Sequence, residues 1–279
     1  MTFAQALAAG MALGLDRLDA QLLLLHARGK PDLGRTWLLA HDRDEMPAPE
    51  FTGFMALAQR RASGEPVAYL TGQKEFFGLT LHVDAHVLVP RPDTETLVEW
   101  ALAVVDGLAP LLQPTIPFAA LDLGTGSGAV ALAIQHARPR VQVNAIDFSS
   151  DALAVAQANA RRLNLPVQFS LGSWLDGVRG RFHLIVSNPP YIAAHDPHLA
   201  ALTHEPLQAL TSGDDGLDDM RHIIKQAPAH LRDGGWLLLE HGYDQAAAVR
   251  GLLVDAGLGH VQSRRDLSGI ERCSGGQLQ

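Results

Sequence analysis

Apolar residues in the first sixty positions recur at helical spacing. Phe3, Leu7, Met11 and Leu15 stand four apart, and Leu18 and Leu22 carry the stripe onward. That spacing predicts helices with one apolar face turned to a core. Gly10 and Gly14 argue against a single unbroken helix. Residues 20–26 are apolar enough for a buried helix, and Gly29-Lys30-Pro31 reads as a turn. Residues 36–41 and 51–61 give two more helical patches, parted by Pro47 and Pro49. Short helices with short links predict a small bundle.

The pattern changes at Gly64-Glu65-Pro66. Residues 67–72 and 75–83 are rich in β-branched and aromatic side chains and read as strands. Leu79, Leu81 and Val83 alternate with Thr80 and His82, and Gly78 offers a turn. A β-hairpin linking two domains is expected. Pro90-Arg91-Pro92 fixes its exit, with Asp93 or Thr94 capping a helix over 95–105. Residues 107–117 are turn-rich. From 118 strands and helices alternate: strands at 118–123, 141–146, 167–171, 182–186 and 236–240, helices reaching 136, 162, 230 and 256, and one or two strands in 260–273. That alternation predicts an α/β fold, a mostly parallel sheet with helices on both faces.

Composition narrows the setting. A single cysteine, Cys273, rules out an intrachain disulfide framework and fits a reducing compartment. The N-terminus has no basic segment ahead of its apolar residues, and no apolar run is long enough to span a bilayer. A cytoplasmic protein without membrane partners is therefore expected. The net charge of −8 is uneven, −1 over residues 1–75 and −7 over 76–279. An acidic second part weighs against nucleic acid as a direct substrate, because phosphate contacts dominate that affinity.

The candidate chemistry lies at strand ends. Asp122-Leu-Gly124-Thr125-Gly126-Ser127-Gly128 joins a strand to a helix. Its glycines allow a tight turn and close approach of a ligand. The spacing is neither that of a dinucleotide site nor that of a P-loop, and it suits a cofactor with an adenosine and an amino acid but no phosphates. Asp147 ends the next strand, where a carboxylate can accept both ribose hydroxyls. Trp174 follows the third strand and can flank an adenine ring. Ser187-Asn188-Pro189-Pro190-Tyr191 ends the fourth. Two prolines stop that strand and hold Asn188 stiffly at its carboxyl end. A carboxamide oxygen and a proline carbonyl can accept the two hydrogens of a planar NH2 group while an aromatic ring stacks on its face. His195, His198 and His204 have no cysteine nearby, and no metal site is expected. Glu240, at the end of a strand, is expected to be structural.

Together these motifs resemble those of class I S-adenosylmethionine-dependent methyltransferases, and the Asn188–Tyr191 corner resembles the signature of those that methylate planar NH2 groups. Three stretches narrow the likeness: Tyr69-Leu-Thr-Gly-x-x-Glu75-Phe-Phe-Gly78, Val89-Pro-Arg-Pro-Asp-Thr-Glu95 and Glu205-Pro-x-x-Ala209-Leu. They resemble the peptide chain release factor N5-glutamine methyltransferases, the HemK/PrmC family. Asp93 stands where that family usually has Glu. The resemblance implies a Rossmann-like, doubly wound, mostly parallel seven-stranded sheet. It implies an N-terminal helical substrate-docking domain over 1–72, a β-hairpin linker over 73–92 and a methyltransferase domain over 93–279. It implies S-adenosyl-L-methionine as cofactor, contacted by Gly124, Thr125, Gly126, Ser127, Gly128, Asp147, Trp174 and Asn188. The substrate would be the glutamine of the Gly-Gly-Gln loop of class 1 release factors, gripped by Asn188, Pro189, Pro190 and Tyr191, so that methylation modulates translation termination. Asn188, Pro189 and Tyr191 would carry the catalysis. The alternative is an adenine-N6 methyltransferase acting on DNA or RNA, which would use the same grip on a flipped base. Near its C-terminus the chain also carries Gly275-Gly276-Gln277, read as a coincidence with the substrate tripeptide, the alternative being that Gln277 enters a neighbouring active site or is itself methylated.

Overall fold

In the computed structural model, residues 1–30, 33–113 and 115–279 are described. The chain divides into two units, Met1–Gln73 and Lys74–Gln279. Pro31 of the expected turn lies outside the described residues.

Among its described residues the first unit holds five α-helices: α1 (Phe3–Ala12), α2 (Arg17–Ala27), α3 (Gly34–Ala40), α4 (Ala48–Ala62) and α5 (Val67–Thr71). Thr2 and Gln5 form a reciprocal capping box on α1, and Asp16 caps α2 by accepting from the Asp19 N–H. The predicted stripe is buried only in part: Phe3 and Leu15 reach the core and Leu7 packs against it. Met11, Leu18 and Leu22 are exposed, whereas Phe3, Ala6 and Gly10 face the core with Leu23, Leu24, Leu38 and Phe54. Gly10 sets that choice, because a Cβ there would lie 2.6 Å from the Phe54 ring. Residues 67–72 form a helix, not a strand. Pro66 supplies the carbonyl for its first hydrogen bonds, and Gly72 closes it at φ +69°. Pro at the start and a left-handed Gly at the end outweigh the β preference of five residues.

The predicted hairpin forms from β1 (Gln73–Phe76) and β2 (Leu79–His82). Phe77 and Gly78 both have positive φ, as a two-residue hairpin turn requires. Glu95 holds the turn by accepting from the Phe77 N–H at 3.1 Å. Neither Asp93 nor Thr94 caps α6 (Glu95–Leu108). A 3-10 turn over Pro92–Thr94 leads into it, and the Thr94 hydroxyl is used elsewhere.

Seven strands then form one sheet: β3 (Ala119–Leu123), β4 (Gln142–Asp147), β5 (Gln168–Leu171), β6 (Phe182–Ser187), β7 (Leu231–Glu240), β8 (Gly259–Arg265) and β9 (Glu271–Gln277). Their order is β5-β4-β3-β6-β7-β9-β8, and β9 alone runs antiparallel to its neighbours. One apolar core packs α6, α7 (Ala129–Ala137) and α8 (Ser150–Leu163) on one face around Trp100. A second packs α9 (Asp218–His230) and α10 (Ala246–Asp255) on the other around Met220. The doubly wound, mostly parallel sheet read from the alternation is what the chain forms. Among the described residues no helix is long and apolar enough to cross a membrane.

The Gly275-Gly276-Gln277 tripeptide lies in the sheet interior. Gly275 pairs with Leu238 on one side and Gln262 on the other, and the Gln277 carboxamide donates to the Gly234 carbonyl at 2.8 Å. Gln277 is thus held in a paired strand, which removes the idea that it enters another active site. A Cβ on Gly275 would lie 2.6 Å from the Leu237 carbonyl oxygen. Gly275→Ala should therefore lose about 2 kcal/mol of stability, since backbone must shift to admit a methyl group. Urea unfolding measures it, and an unchanged midpoint would contradict the packing argument.

Candidate active site

The sheet reverses its winding at β3, which lies between β4 and β6, and ligands bind outside the strand ends at such a point. Three chain ends meet there in register, with Leu123 opposite both Ile146 and Ser187. The Ser187 hydroxyl donates to the Leu123 carbonyl at 2.7 Å, which ties the corner at Asn188 to the glycine loop. The Gly124 and Thr125 N–H groups both donate to the Ile146 carbonyl. A pocket opens above, lined by Gly124, Thr125, Gly126, Ser127, Asp147, Trp174, Asn188 and Pro190 among the expected residues. Gly128, Pro189 and Tyr191 do not line it.

The glycines divide the labour. Gly124, Gly126 and Gly128 all have positive φ. A Cβ on Gly126 would meet no protein atom within 4 Å, so that space is open to a ligand. A Cβ on Gly128 would touch Leu132 at 3.0 Å and Ala156 at 3.3 Å, so Gly128 serves helix packing.

Two carboxylates face the pocket. Asp147 accepts from the Gly126 N–H at 2.8 Å and the Ser149 N–H at 2.9 Å, one bond on each oxygen. Each oxygen keeps acceptor capacity for a ligand hydroxyl. Asp122 is fully buried and accepts from the Thr125 hydroxyl at 2.7 Å and the Ala131 N–H at 3.2 Å. Burial raises both carboxyls above the ordinary range, Asp122 to about 7, helped by the nearby Asp147 charge. Two desolvated carboxylates side by side favour a cationic, hydroxyl-bearing ligand. The donor set and the open space at Gly126 therefore fit an adenosine cofactor that carries positive charge.

Trp174 takes a left-handed backbone, φ +48°, which is costly for a bulky residue and marks a functional position. Its indole N–H donates to Asp219 at 3.0 Å, and a Cβ on Gly124 would come within 3.1 Å of the ring. Asp219, in the first turn of α9, is thus the residue that orients Trp174. Phe148, half exposed beside Asp147, also lines the pocket and offers a flat face that the sequence reading did not single out.

At the corner, the Asn188 carboxamide N–H donates to the Thr94 hydroxyl at 3.2 Å. That bond turns Oδ1 away from Thr94 and leaves it free to accept. Tyr191 points its hydroxyl to Glu240 at 3.3 Å. Glu240 is buried, with its carboxyl raised to about 7 by desolvation. The remote motifs meet here too. Glu205 accepts from the Val89 N–H and pairs with Arg91, so residues 86–91 and 206–209 form adjoining walls of the pocket. Asp93, the departure from the family pattern, pairs with Arg272 at 3.3 Å. Asn159, wholly buried, exchanges hydrogen bonds with the His82 backbone and donates to the Ser127 carbonyl, fastening the hairpin to the glycine loop. Thr94, Phe148, Asp219, Asn159 and Glu240 had no spacing signal tying them to the site. Only Asp122, inside the glycine motif, could have been picked from its position.

The sheet order, the glycine loop after β3 and the carboxylate that ends β4 define a class I S-adenosylmethionine-dependent methyltransferase. A family model described as "Methyltransferase small domain" matches residues 104–213, and one described as "PrmC N-terminal domain" matches residues 3–72. The fold is similar to that of a 16S rRNA methyltransferase of T. thermophilus, solved in complex with AdoMet and guanosine. The TM-score is 0.53 at 21% identity, over 74% of this chain and 50% of that one. Among curated proteins, the chain is 49% identical to a release factor glutamine methyltransferase of Burkholderia pseudomallei, over 95% of this chain and 93% of that one. It is 48% identical to one of Bordetella pertussis, over 95% and 96%. The chain belongs to the release factor glutamine methyltransferase family.

Proposed function

We propose that this protein transfers a methyl group from S-adenosyl-L-methionine to the side-chain amide nitrogen, N5, of the glutamine in the Gly-Gly-Gln loop of class 1 peptide chain release factors. The observation that carries the reading is Asn188. Its N–H is committed to Thr94 and its Oδ1 is free, at the mouth of a pocket suited to the cofactor. The family to which the chain belongs supplies the acceptor class.

The cofactor supplies an activated methyl on a sulfonium. Gly124, Thr125, Gly126, Ser127, Asp147, Trp174 and Asn188 would hold it, Gly128 would shape the loop from behind, and Asp122 and Phe148 complete the lining. An amide nitrogen is a weak nucleophile because its lone pair is delocalised into the carbonyl. Asn188 Oδ1 and the Pro189 carbonyl accept its two hydrogens, which draws the nitrogen toward tetrahedral geometry and stabilises the positive charge that develops. Pro190 keeps the corner rigid, and Tyr191 packs against the amide plane. The unit Met1–Gln73 is the domain that docks the release factor. Cytoplasmic location fits that partner.

Methyl transfer to an intact release factor, with its loop Gln→Ala variant as control, tests the reading. Label on the variant, or on DNA or RNA but not on the release factor, would overturn it, and label on nucleic acid would point to the adenine-N6 alternative.

The carboxyl of Asp122 gives the cofactor step a pH dependence. Its ordinary value is 3.8 and burial raises it to about 7, so in the free protein it is neutral below pH 7 and ionised above. A cationic cofactor prefers the ionised form, so affinity should rise between pH 6 and pH 8. Calorimetry at the two pH values checks this, and Asp122→Asn should flatten the dependence.

A further inference from the structure

Gln245 stands just ahead of α10, half-buried and outside the pocket. Its carboxamide makes three hydrogen bonds, all to main chain. Oε1 accepts from the Gly242 N–H at 2.8 Å, and Nε2 donates to the Tyr191 carbonyl at 3.0 Å and the Asp215 carbonyl at 3.3 Å. With one donor and two acceptors around it, only one orientation of the amide satisfies all of them. The peptide after Tyr191 is held at its other pole too. The Ile192 N–H donates at 2.9 Å to the carbonyl of Leu210, next to Pro206, Gln208 and Ala209, which line the pocket. Gly216 passes so close that a Cβ there would overlap the Tyr191 carbonyl oxygen. The exit of the corner is thus fixed by backbone at the N–H and by the Gln245 side chain at the carbonyl.

We infer that Gln245 is a positioning residue for the Asn188–Tyr191 corner, fixing the peptide after Tyr191 and through it the place of the ring. The inference rests on the proposed amide methyl transfer and names a side chain that aligns it. Gln245 touches neither substrate nor cofactor. The Tyr191 ring is tethered at its hydroxyl by Glu240 at 3.3 Å, and Gln245 supplies the tether at the backbone end. A carboxamide suits the place because it offers one acceptor and two donor hydrogens from a single planar group. A glutamate there would set an oxygen against two carbonyl oxygens. An alanine would take the side-chain donor from the Tyr191 carbonyl and leave the peptide freer to turn.

Gln245→Ala should lower kcat about tenfold and leave the KM for the cofactor within about twofold, because alignment is lost while no partner of Gln245 lines the pocket. Gln245→Glu keeps the acceptor for Gly242, and with it the start of α10, but at neutral pH has no hydrogen to donate. It should fold normally and lose at least as much kcat as Gln245→Ala. In a Tyr191→Ala background either change should add less than about twofold, because the ring that it places is already gone. The backbone amide signal of Ile192, which shares the Tyr191 peptide, should shift in both variants with no acceptor present. That readout stands even if the release factor proves not to be the acceptor, which wild-type transfer tests separately. A wild-type kcat in Gln245→Glu, losses that multiply in the Tyr191→Ala background, or an unmoved Ile192 amide would overturn the assignment.

Discussion

Replacing Asn188 by alanine should lower kcat by about two orders of magnitude, some 3 kcal/mol of transition-state stabilisation, and leave cofactor affinity within about threefold. Two features of the site set the size of the effect. Oδ1 is one of only two acceptors at the corner for the two hydrogens of the acceptor amide, the other being the Pro189 carbonyl. And the oxygen is preorganised, because Thr94 holds the opposite end of the carboxamide at 3.2 Å and the prolines hold the backbone. An acceptor that need not reorient is worth more than one recruited from water. The cofactor rests mainly on the glycine loop, Asp147 and Trp174, so its binding survives. Single-turnover rates with the release factor, beside calorimetry with the cofactor, separate the two quantities. Near-normal turnover with intact cofactor binding would sink the mechanism. Asn188→Asp is the sharper probe. An anionic oxygen still accepts, and the Thr94 hydroxyl can turn to donate to the other carboxylate oxygen, so this variant should lose less rate than Asn188→Ala.

The legibility of this site followed a physical divide. Groups fixed by backbone conformation could be read from sequence. The glycine loop needs positive φ, the corner needs two fixed φ values, and both needs write themselves into residue type. The side chains that orient those groups could not be read. Glu240 and Thr94 reach Asn188 and Tyr191 across a register that no local spacing encodes. Asn159 meets His82 and Ser127 from 77 and 32 residues away. The Val89-Pro-Arg91 and Glu205-Pro stretches could be read as motifs but not as one contact, although they meet as an ion pair. The helical errors have the same root. Spacing proposed Met11 and Leu18 as core, but Phe54 seats on Gly10, and a glycine carries no hydrophobic signal. At residues 67–71 the reverse held, and propensity misled where flanking Pro66 and Gly72 had already set a helix.

Asp147→Ala should abolish measurable cofactor binding at ordinary concentrations, a loss of at least about 3 kcal/mol, while the melting temperature of the free protein changes by no more than a few degrees. The affinity loss has two sources. The carboxylate is the acceptor for the ribose hydroxyls, and it also holds the Gly126 and Ser149 N–H groups that shape the loop and start the next helix. The small stability effect follows from the sign of its shift. Burial holds the Asp147 carboxyl above its ordinary 3.8. A raised acid is harder to ionise in the folded chain than in the unfolded one, so at pH 7 its charge opposes folding. Removing it relieves that cost, which offsets the two lost backbone bonds. Such a carboxylate is kept for its ligand and not for the fold, and the variant separates those roles. Thermal unfolding with and without cofactor measures both at once. The wild-type midpoint should rise with cofactor by the amount its affinity dictates, and the variant should start near the same midpoint and show no rise. A large drop in the variant's own midpoint would mean that Asp147 is structural, and the loss of binding would then say nothing about ribose.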